Sequence, residues 1–337
     1  LDTTDVPVMH LSGLGASARI LASGRSTEPK MDYYEFETRN LRAAEQARVR
    51  LFGSREVGEC NQRLRHSGFV NCCAAQDQPS FVMFNNADDV VAAHYYYAGP
   101  HSFETDTLRL WVHLARQANY IYDVGAFSGV FSLAAVAANP TCFVMAFEPA
   151  FNTYSRLLIN VRANAFDDRI APLRAGVGSS EGTHDLRHPS GVYVLSSDES
   201  FVEDRVSKPW FTETVPMVSL DQLLADQDRY RTQIVLEVPF PSVDLIKIDV
   251  EGYEPEVLKG MTQVVARDRP TAIIELFDVS ETAGVLALLG PGYQARYLQG
   301  LPYTPTGANV VFIHEQKLHQ IAGYEEAHGP LRQITPA

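Results

Sequence analysis

Several protein classes are excluded by what the chain has little of. Its 337 residues include only four cysteines. Cys60, Cys72, Cys73 and Cys142 form no Cys-x-x-Cys pair and have no histidine at finger-like spacing, which argues against a structural zinc or a disulfide scaffold. No apolar run reaches the roughly 18 residues of a membrane helix, and the opening LDTTDVPVMH lacks a basic segment followed by an apolar one. Positive charge is scarce as well: 28 Lys and Arg stand against 41 Asp and Glu, for a net charge of −13. Neither nucleic acid nor an anionic membrane is therefore expected as a partner, and a cytoplasmic location is the expectation. What remains is ordinary globular material, 45% hydrophobic and 20% charged, enough for one large domain or two modest ones.

The first hundred residues read differently from the rest. Residues 1–30 are rich in Gly, Ser, Thr and Ala and look like an arm, while Phe36, Ala43, Ala47 and Leu51 predict a helix from about residue 32. Residues 80–97 read as two strands separated by the Asn85 to Asp89 turn cluster. Residues 1–100 are accordingly expected to be an N-terminal flank or cap that contributes to the substrate side, with the main domain at 101–337. From Phe103 onward Leu108, Trp111 and Ala115 mark an amphipathic helix, and then strands and helices alternate. Strands are predicted at 120–124, 142–147, 169–173, 244–249 and 271–276, and helices at 129–138, 153–163, 220–225 and 255–266, which is the rhythm of a parallel sheet in an α/β fold. Between 178 and 214 the rhythm breaks into an irregular excursion with a strand candidate at 192–195 and two loop histidines, His184 and His188. The strands predicted at 293–298 and 309–314 have no helix between them and should pair antiparallel.

Chemistry concentrates at the predicted carboxyl ends of the strands, where open parallel sheets bind ligands. The first strand ends in Asp123-Val124-Gly125-Ala126-Phe127-Ser128-Gly129. Its glycines permit a sharp turn and close approach of a ligand to backbone N–H groups, or serve only to pack helix on strand. The spacing is not the dinucleotide G-x-G-x-x-G, so a pyrophosphate cradle fits less well than a site for a neutral or cationic nucleoside. The next strand ends at Glu148-Pro149, and an acid placed there can accept hydrogen bonds from both hydroxyls of a ribose. Asn160 and Asn164 on the following helix read as local caps or turn residues. A third strand runs into Asp249, Glu251 and Glu254 around Gly252, and a fourth ends at Glu275. These acids should converge on the same edge. Glu254 would serve equally as a first-turn acid of its helix. Carboxylates gathered in this way could supply oxygens to magnesium, but convergence alone does not establish coordination, and no metal ligands are assigned.

Taken together these residues resemble the FkbM family of S-adenosylmethionine-dependent methyltransferases. The shared pieces are Asp-Val-Gly-Ala at 123–126, Phe-Glu-Pro at 147–149, Leu-x-x-Asn at 157–160, Val-Ser-Leu-Asp at 218–221, Ile-Lys-Ile-Asp-Val-Glu-Gly-Tyr-Glu at 246–254 and Asn-Val-Val-Phe at 309–312. The resemblance implies a class I methyltransferase fold, a Rossmann-like sheet of seven strands in the order 3-2-1-4-5-7-6 with the last pair antiparallel, preceded here by an N-terminal extension. It further implies S-adenosyl-L-methionine held by Asp123, Gly125, Ala126, Gly129, Glu148, Pro149, Val177 and Asp249, with Asp249 and Glu251 as the catalytic pair facing the transferable methyl. His94, Tyr96, Glu254 and Glu275 are the candidates for the acceptor side. Where the family commonly has Asn after Gly-Ala, this chain has Phe127. The expected reaction is O-methylation of a small-molecule hydroxyl, of the secondary-metabolite (antibiotic biosynthesis) or sugar-like kind and possibly carried on a carrier protein. A nicotinamide-dependent oxidoreductase and a non-catalytic binding protein that keeps the fold are the alternatives.

Overall fold

The computed structural model describes residues 66–189, 195, 198–225, 242–297 and 308–334. The predicted arm at 1–30, the helix from residue 32, Cys60 and most of the 192–195 strand candidate lie outside the described residues.

A hairpin opens the described chain: β1 (Ser67–Cys73) pairs antiparallel with β2 (Ser80–Asn86). The next segment is helix α1 (Val90–Ala98), not the strand suggested by its β-branched and aromatic run. Local capping decides the matter: the Asp89 carboxylate accepts the Ala92 N–H at 2.9 Å, and Gly99, at φ 110°, ends the helix. Helix α2 (Thr105–Ala115) buries Leu108, Trp111, Val112 and Ala115, and the Trp111 indole N–H donates to the Phe131 carbonyl at 2.8 Å.

The alternating segment then builds the main sheet. Its parallel strands are β3 (Tyr120–Val124), β4 (Phe143–Phe147), β5 (Ile170–Leu173), β9 (Leu245–Ile248) and β10 (Thr271–Leu276). β11 (Tyr293–Tyr297) and β12 (Ala308–His314) add to it antiparallel. From one edge the order is β5-β4-β3-β9-β10-β12-β11, and an eighth strand, β13 (Arg332–Ile334), extends the edge beyond β11. That three-residue strand has no periodicity of its own to announce it.

Helices α3 (Val130–Ala138) and α4 (Phe151–Ala163) cover one face together with α2. The other face packs on α5 (Leu220–Ala225), α6 (Glu254–Lys259), α7 (Thr262–Asp268) and α8 (Thr282–Leu289). The single helix expected over 255–266 is split between α6 and α7 at Gly260, where a Cβ would lie 2.0 Å from the Gly178 carbonyl oxygen, so the backbones touch. Much of the irregular excursion is also regular: β6 (Gly176–Val177), β7 (Gly182–His188) and β8 (Phe211–Val218) form a second sheet in the order β6-β8-β7. His184 and His188 therefore sit on a strand, and His188 is buried against the Phe211 ring. A last helix, α9 (His319–His328), packs on α2.

Asn164 does cap the end of α4, its amide donating to the Asn160 carbonyl at 2.7 Å, but Asn160 is no cap, and both reach beyond their own helix. Their side-chain oxygens accept the Phe84 and Val82 N–H groups at 2.7 and 2.8 Å, and the Asn160 amide donates to the Ser128 carbonyl. Arg156 adds a two-pronged ion pair with Asp88 at 2.9 and 3.0 Å. These bonds fasten β2 along α4, and Val70, Phe81, Met83 and Tyr95 enter the same hydrophobic core as Ile121 and Val144. Among the described residues no helix is long and apolar enough to cross a membrane.

Candidate active site

A cavity of about 290 Å³ opens over the carboxyl ends of β3, β4, β9 and β10. The first wall is the turn after β3. Gly125 has φ 81°, and a Cβ there would fall 1.7 Å from the Asp249 carbonyl oxygen, so only glycine lets these two strand ends meet. The turn spends its donors internally. The Gly125 and Ala126 N–H groups both donate to the Phe147 carbonyl (3.0 and 2.9 Å), Phe127 N–H to Glu148 Oε2 (2.9 Å), and Gly129 N–H to the Ala126 carbonyl (2.8 Å). An anion-binding nest needs free N–H groups pointing at the ligand, and these four are already committed.

Glu148 is the polar anchor of this wall. Its Oε1 accepts the Ala150 N–H and its Oε2 the Phe127 N–H, both at 2.9 Å, so the carboxyl is fixed while it faces the cavity. Burial above all, then the charge of Glu199, holds its pKa well above the usual carboxylate range. Two further hydroxyl donors would favour the charged form that burial penalises. Beside it Pro149, Phe147, Val177 and Phe201 give the cavity an apolar flank suited to a flat ring.

The second wall is a layer of acids. Side chains alternate along a strand, so Asp123, Lys247 and Glu275 share a face with Ile121, Leu245 and Ile273. Asp249 follows directly after β9 and lines the cavity, and Lys247 Nζ lies 2.8 Å from its Oδ2 and 4.9 Å above the Phe131 ring. Lys247 is fully buried and stays protonated because the carboxylates of Asp249, Glu104 and Glu275 outweigh its desolvation. Burial pushes Asp249 up, but the Lys247 charge and hydrogen bonds from Glu275 and Lys247 leave it below its ordinary value. Glu275, buried beside the Asp249 charge, is pushed up and carries the proton of that pair. Glu251 also lines the cavity, and burial, followed by the charges of Asp249, Asp198 and Glu254, raises it to about 8.

Other expected residues stand elsewhere. Asp123 is buried behind the cavity wall, with Ser132 Oγ donating to its Oδ2 at 2.5 Å, and desolvation raises it to about 6. Gly129 starts α3 at φ 100°, against Leu157. Neither lines the cavity. His94 and Tyr96 are also absent from the lining: His94 packs edge-on to Phe103, and Tyr96 stacks on His66 at 3.7 Å. Both side chains are committed to packing α1. Glu254 turns inward, its Oε1 accepting the Val250 and Gly252 N–H groups at 3.3 and 3.2 Å, so it braces the turn and does not face a ligand.

Two contributors escaped the sequence reading. Glu104, before α2, faces the acid layer, accepts the Asn309 amide at 2.9 Å and is raised to about 7, chiefly by burial. It belongs to no motif. Lys247 sits inside a quoted motif, but its partner is known only once β9 is placed. Glu104, Phe127 and Glu251 also share a left-handed backbone, at φ 36°, 50° and 53°, a conformation that non-glycine residues adopt at some cost. Asp249, Glu251 and Glu275 each bring one oxygen within 4.8 Å of the others. Lys247, 2.8 Å from Asp249, offsets part of that charge, and burial beside Asp249 favours the protonated form of Glu275.

The profile described as "Methyltransferase FkbM domain" matches residues 123–297. The hexuronic acid methyltransferase AglP of Haloferax volcanii is 32% identical over 163 residues, 48% of this chain and 58% of that protein. The methyltransferase sdnD of Sordaria araneosa is 29% identical over 157 residues, 43% of this chain and 61% of that protein. The chain thus spans about three fifths of the length of these curated relatives. A solved methyltransferase FkbM from Methylobacillus flagellatus superposes at a TM-score of 0.39 with 15% identity, over 82% of this chain and 59% of that one.

Proposed function

The chain belongs to the FkbM methyltransferase family, and from that premise we propose that it transfers the methyl group of S-adenosyl-L-methionine to a hydroxyl oxygen of a sugar or other small metabolite. The observation that carries this reading is the first wall: a buried carboxyl, Glu148, fixed for a vicinal diol, beside a glycine turn whose N–H groups are spent. A dinucleotide would need those N–H groups for its pyrophosphate; a ligand without phosphate does not.

The residues present fit such a methyl donor. Glu148 would hold the ribose hydroxyls, Val177, Phe147 and Phe201 would flank the adenine, and Gly125 lets backbone approach closely where a Cβ has no room. Bound there, S-adenosylmethionine supplies an electrophilic methyl carbon on a positively charged sulfur. The acid layer complements that charge, with Asp249 ionised by its Lys247 partner. Apolar Val90, Val91 and Phe103 line the cavity together with Glu104 and would limit water around the reacting atoms. Alignment of acceptor and methyl supplies much of the rate gain, and a carboxylate at the acid layer takes the acceptor's proton. AglP is named for a hexuronic acid, which supports a sugar-like acceptor.

Calorimetric titration of the whole chain with S-adenosylmethionine, S-adenosylhomocysteine, NAD and NADP tests the reading. Affinity in the micromolar range for the two sulfur nucleosides alone is the expected result, reduced about tenfold or more in Glu148→Gln. Binding of NAD or NADP in their place overturns it.

A further inference from the structure

We propose that Glu251 is the group that takes the proton of the acceptor hydroxyl, and that Asp249, fixed between Lys247 and Glu275, is a standing anion and not a base. The assignment rests on the methyl-transfer reading and divides the labour of its two catalytic candidates.

The two carboxylates, two residues apart, are held in opposite ways. Asp249 is occupied: Lys247 Nζ sits 2.8 Å from Oδ2, and Glu275 hydrogen-bonds to the same carboxylate. Lys247 has nowhere else to go. It is fully buried on β9, with the Phe131 ring 4.9 Å from its ammonium. A carboxylate stabilised from two sides is a weak base, since a proton arriving there must displace an ammonium held in a dry site.

Glu251 is the reverse case. Its backbone is pinned in the left-handed region at φ 53°: its carbonyl accepts Ser200 Oγ at 2.7 Å, and the N–H groups on either side, of Val250 and Gly252, go to Glu254. Its carboxylate lines the cavity and accepts no hydrogen bond from any described residue. A strained backbone around an unengaged side chain is a placement the surroundings must enforce. The groups facing it are Asp249, Asp198, Glu254 and Glu275, with Arg205 as the opposing charge. Arg205 is itself drawn aside onto the Phe277 ring, 3.0 Å from its centroid. Burial and this surplus of acids place Glu251 near 8, where a carboxyl is a much stronger base than in water and takes its base form as pH rises through that value. In the step itself the acceptor oxygen bonds to the methyl carbon, the sulfur keeps the electron pair of the broken bond as a neutral thioether, and the hydroxyl proton passes to Glu251.

Carbon-13 NMR of the full chain, labelled at the side-chain carboxyls of Asp and Glu, tests this without an acceptor. The resonance missing in Glu251→Gln should titrate with a midpoint near 8. The one missing in Asp249→Asn should stay at its ionised position from about pH 5 to about pH 9, and should begin to titrate there in Lys247→Met. Affinity for S-adenosylhomocysteine, measured on the same samples, should remain within about threefold in Glu251→Gln, because a base for the acceptor does not hold the donor. The proposal is overturned if Asp249 titrates near neutrality while Glu251 stays ionised, or if Glu251→Gln weakens nucleoside binding about tenfold or more. Failure of the underlying reading looks different: wild-type protein would bind neither sulfur nucleoside, whatever the two carboxyls do.

Discussion

On one face of the main sheet Tyr122, Val124, Ile246, Ile248, Ile274 and Phe312 continue an apolar core from end to end. On the other face Ile121, Leu245, Ile273 and Val311 do so only as far as Asp123, Lys247, Glu275 and Asn309, where the same strands turn polar and all but the half-buried Glu275 stay buried. Both faces come from alternate residues of the same few strands, so neither the backbone nor strand propensity distinguishes them. The difference lies in what each end of the layer must do. The apolar face needs only to be filled. The mixed face is filled at its base and reserves its carboxyl edge for groups that stabilise one another only as a set: one lysine and three neighbouring acids, one of them favoured in its protonated form. Stability is spent there on chemistry.

Removing the one cation of that set should break the contrast most severely. Lys247→Met keeps volume but leaves Asp249, Glu275 and Glu104 without a counter-charge, and denaturant unfolding at about pH 8 should show a loss of about 3–5 kcal/mol. At about pH 6 the loss should shrink, because Asp249 can then take up a proton in the folded state. An equal loss at both pH values would mean that Lys247 contributes packing and not charge.

The next effect needs no mutation. Glu104 and Glu251 are raised to about 7 and about 8, and Asp123 to about 6, all above their values in the unfolded chain. Folding therefore favours their protonated forms. The stability they contribute is fully present below the unfolded values and is lost as pH rises from there to the folded ones, by about 6 for Asp123 and by about 8 for Glu251. Thermal unfolding of ligand-free protein should fall across that window, by on the order of 2 kcal/mol after allowance for solvent screening. A flat profile would remove the strained acid layer from the account.

Smaller again is the tie between the hairpin and the mixed face. Asn160→Ala leaves the Phe84 N–H and the Ser128 carbonyl without their side-chain partner, which costs about 1–3 kcal/mol. Exchange of the Phe84 amide should accelerate more than that of amides in β3. If both accelerate equally, Asn160 supports the whole domain and not the hairpin alone.

What the sequence made legible follows the same division. The strands of the main sheet and the glycine turn announce themselves through short apolar runs that end in Gly or an acid, and the acids at 148, 249, 251 and 275 line the cavity as their strand-end positions imply. Partnerships between distant segments were not legible. Asn160 looked like a cap because its role requires β2, 76 residues away. Glu104 could not be found at all, since the residue that orients it, Asn309, is 205 positions distant. His94 and Tyr96 were drawn toward the site by their chemistry, whereas the cap at Asp89 makes their segment a helix and gives both side chains to packing. Local signals fix elements; function at this edge depends on which elements meet.

The smallest change tests the other side of the comparison. Ile246 is fully buried on the apolar face, one residue before Lys247 and pointing the opposite way. Ile246→Val removes one methylene from a core that has only apolar neighbours to adjust, so the cost should be about 0.5–1.5 kcal/mol. Because no ionisable group of the acid layer touches that face, the cost should be the same at about pH 6 and about pH 8, in contrast to Lys247→Met. Affinity for S-adenosylhomocysteine should not move. If instead the Ile246→Val penalty varies with pH, the two faces exchange strain through the strand they share, and the acid layer is set by the packing behind the sheet as well as by its own charges.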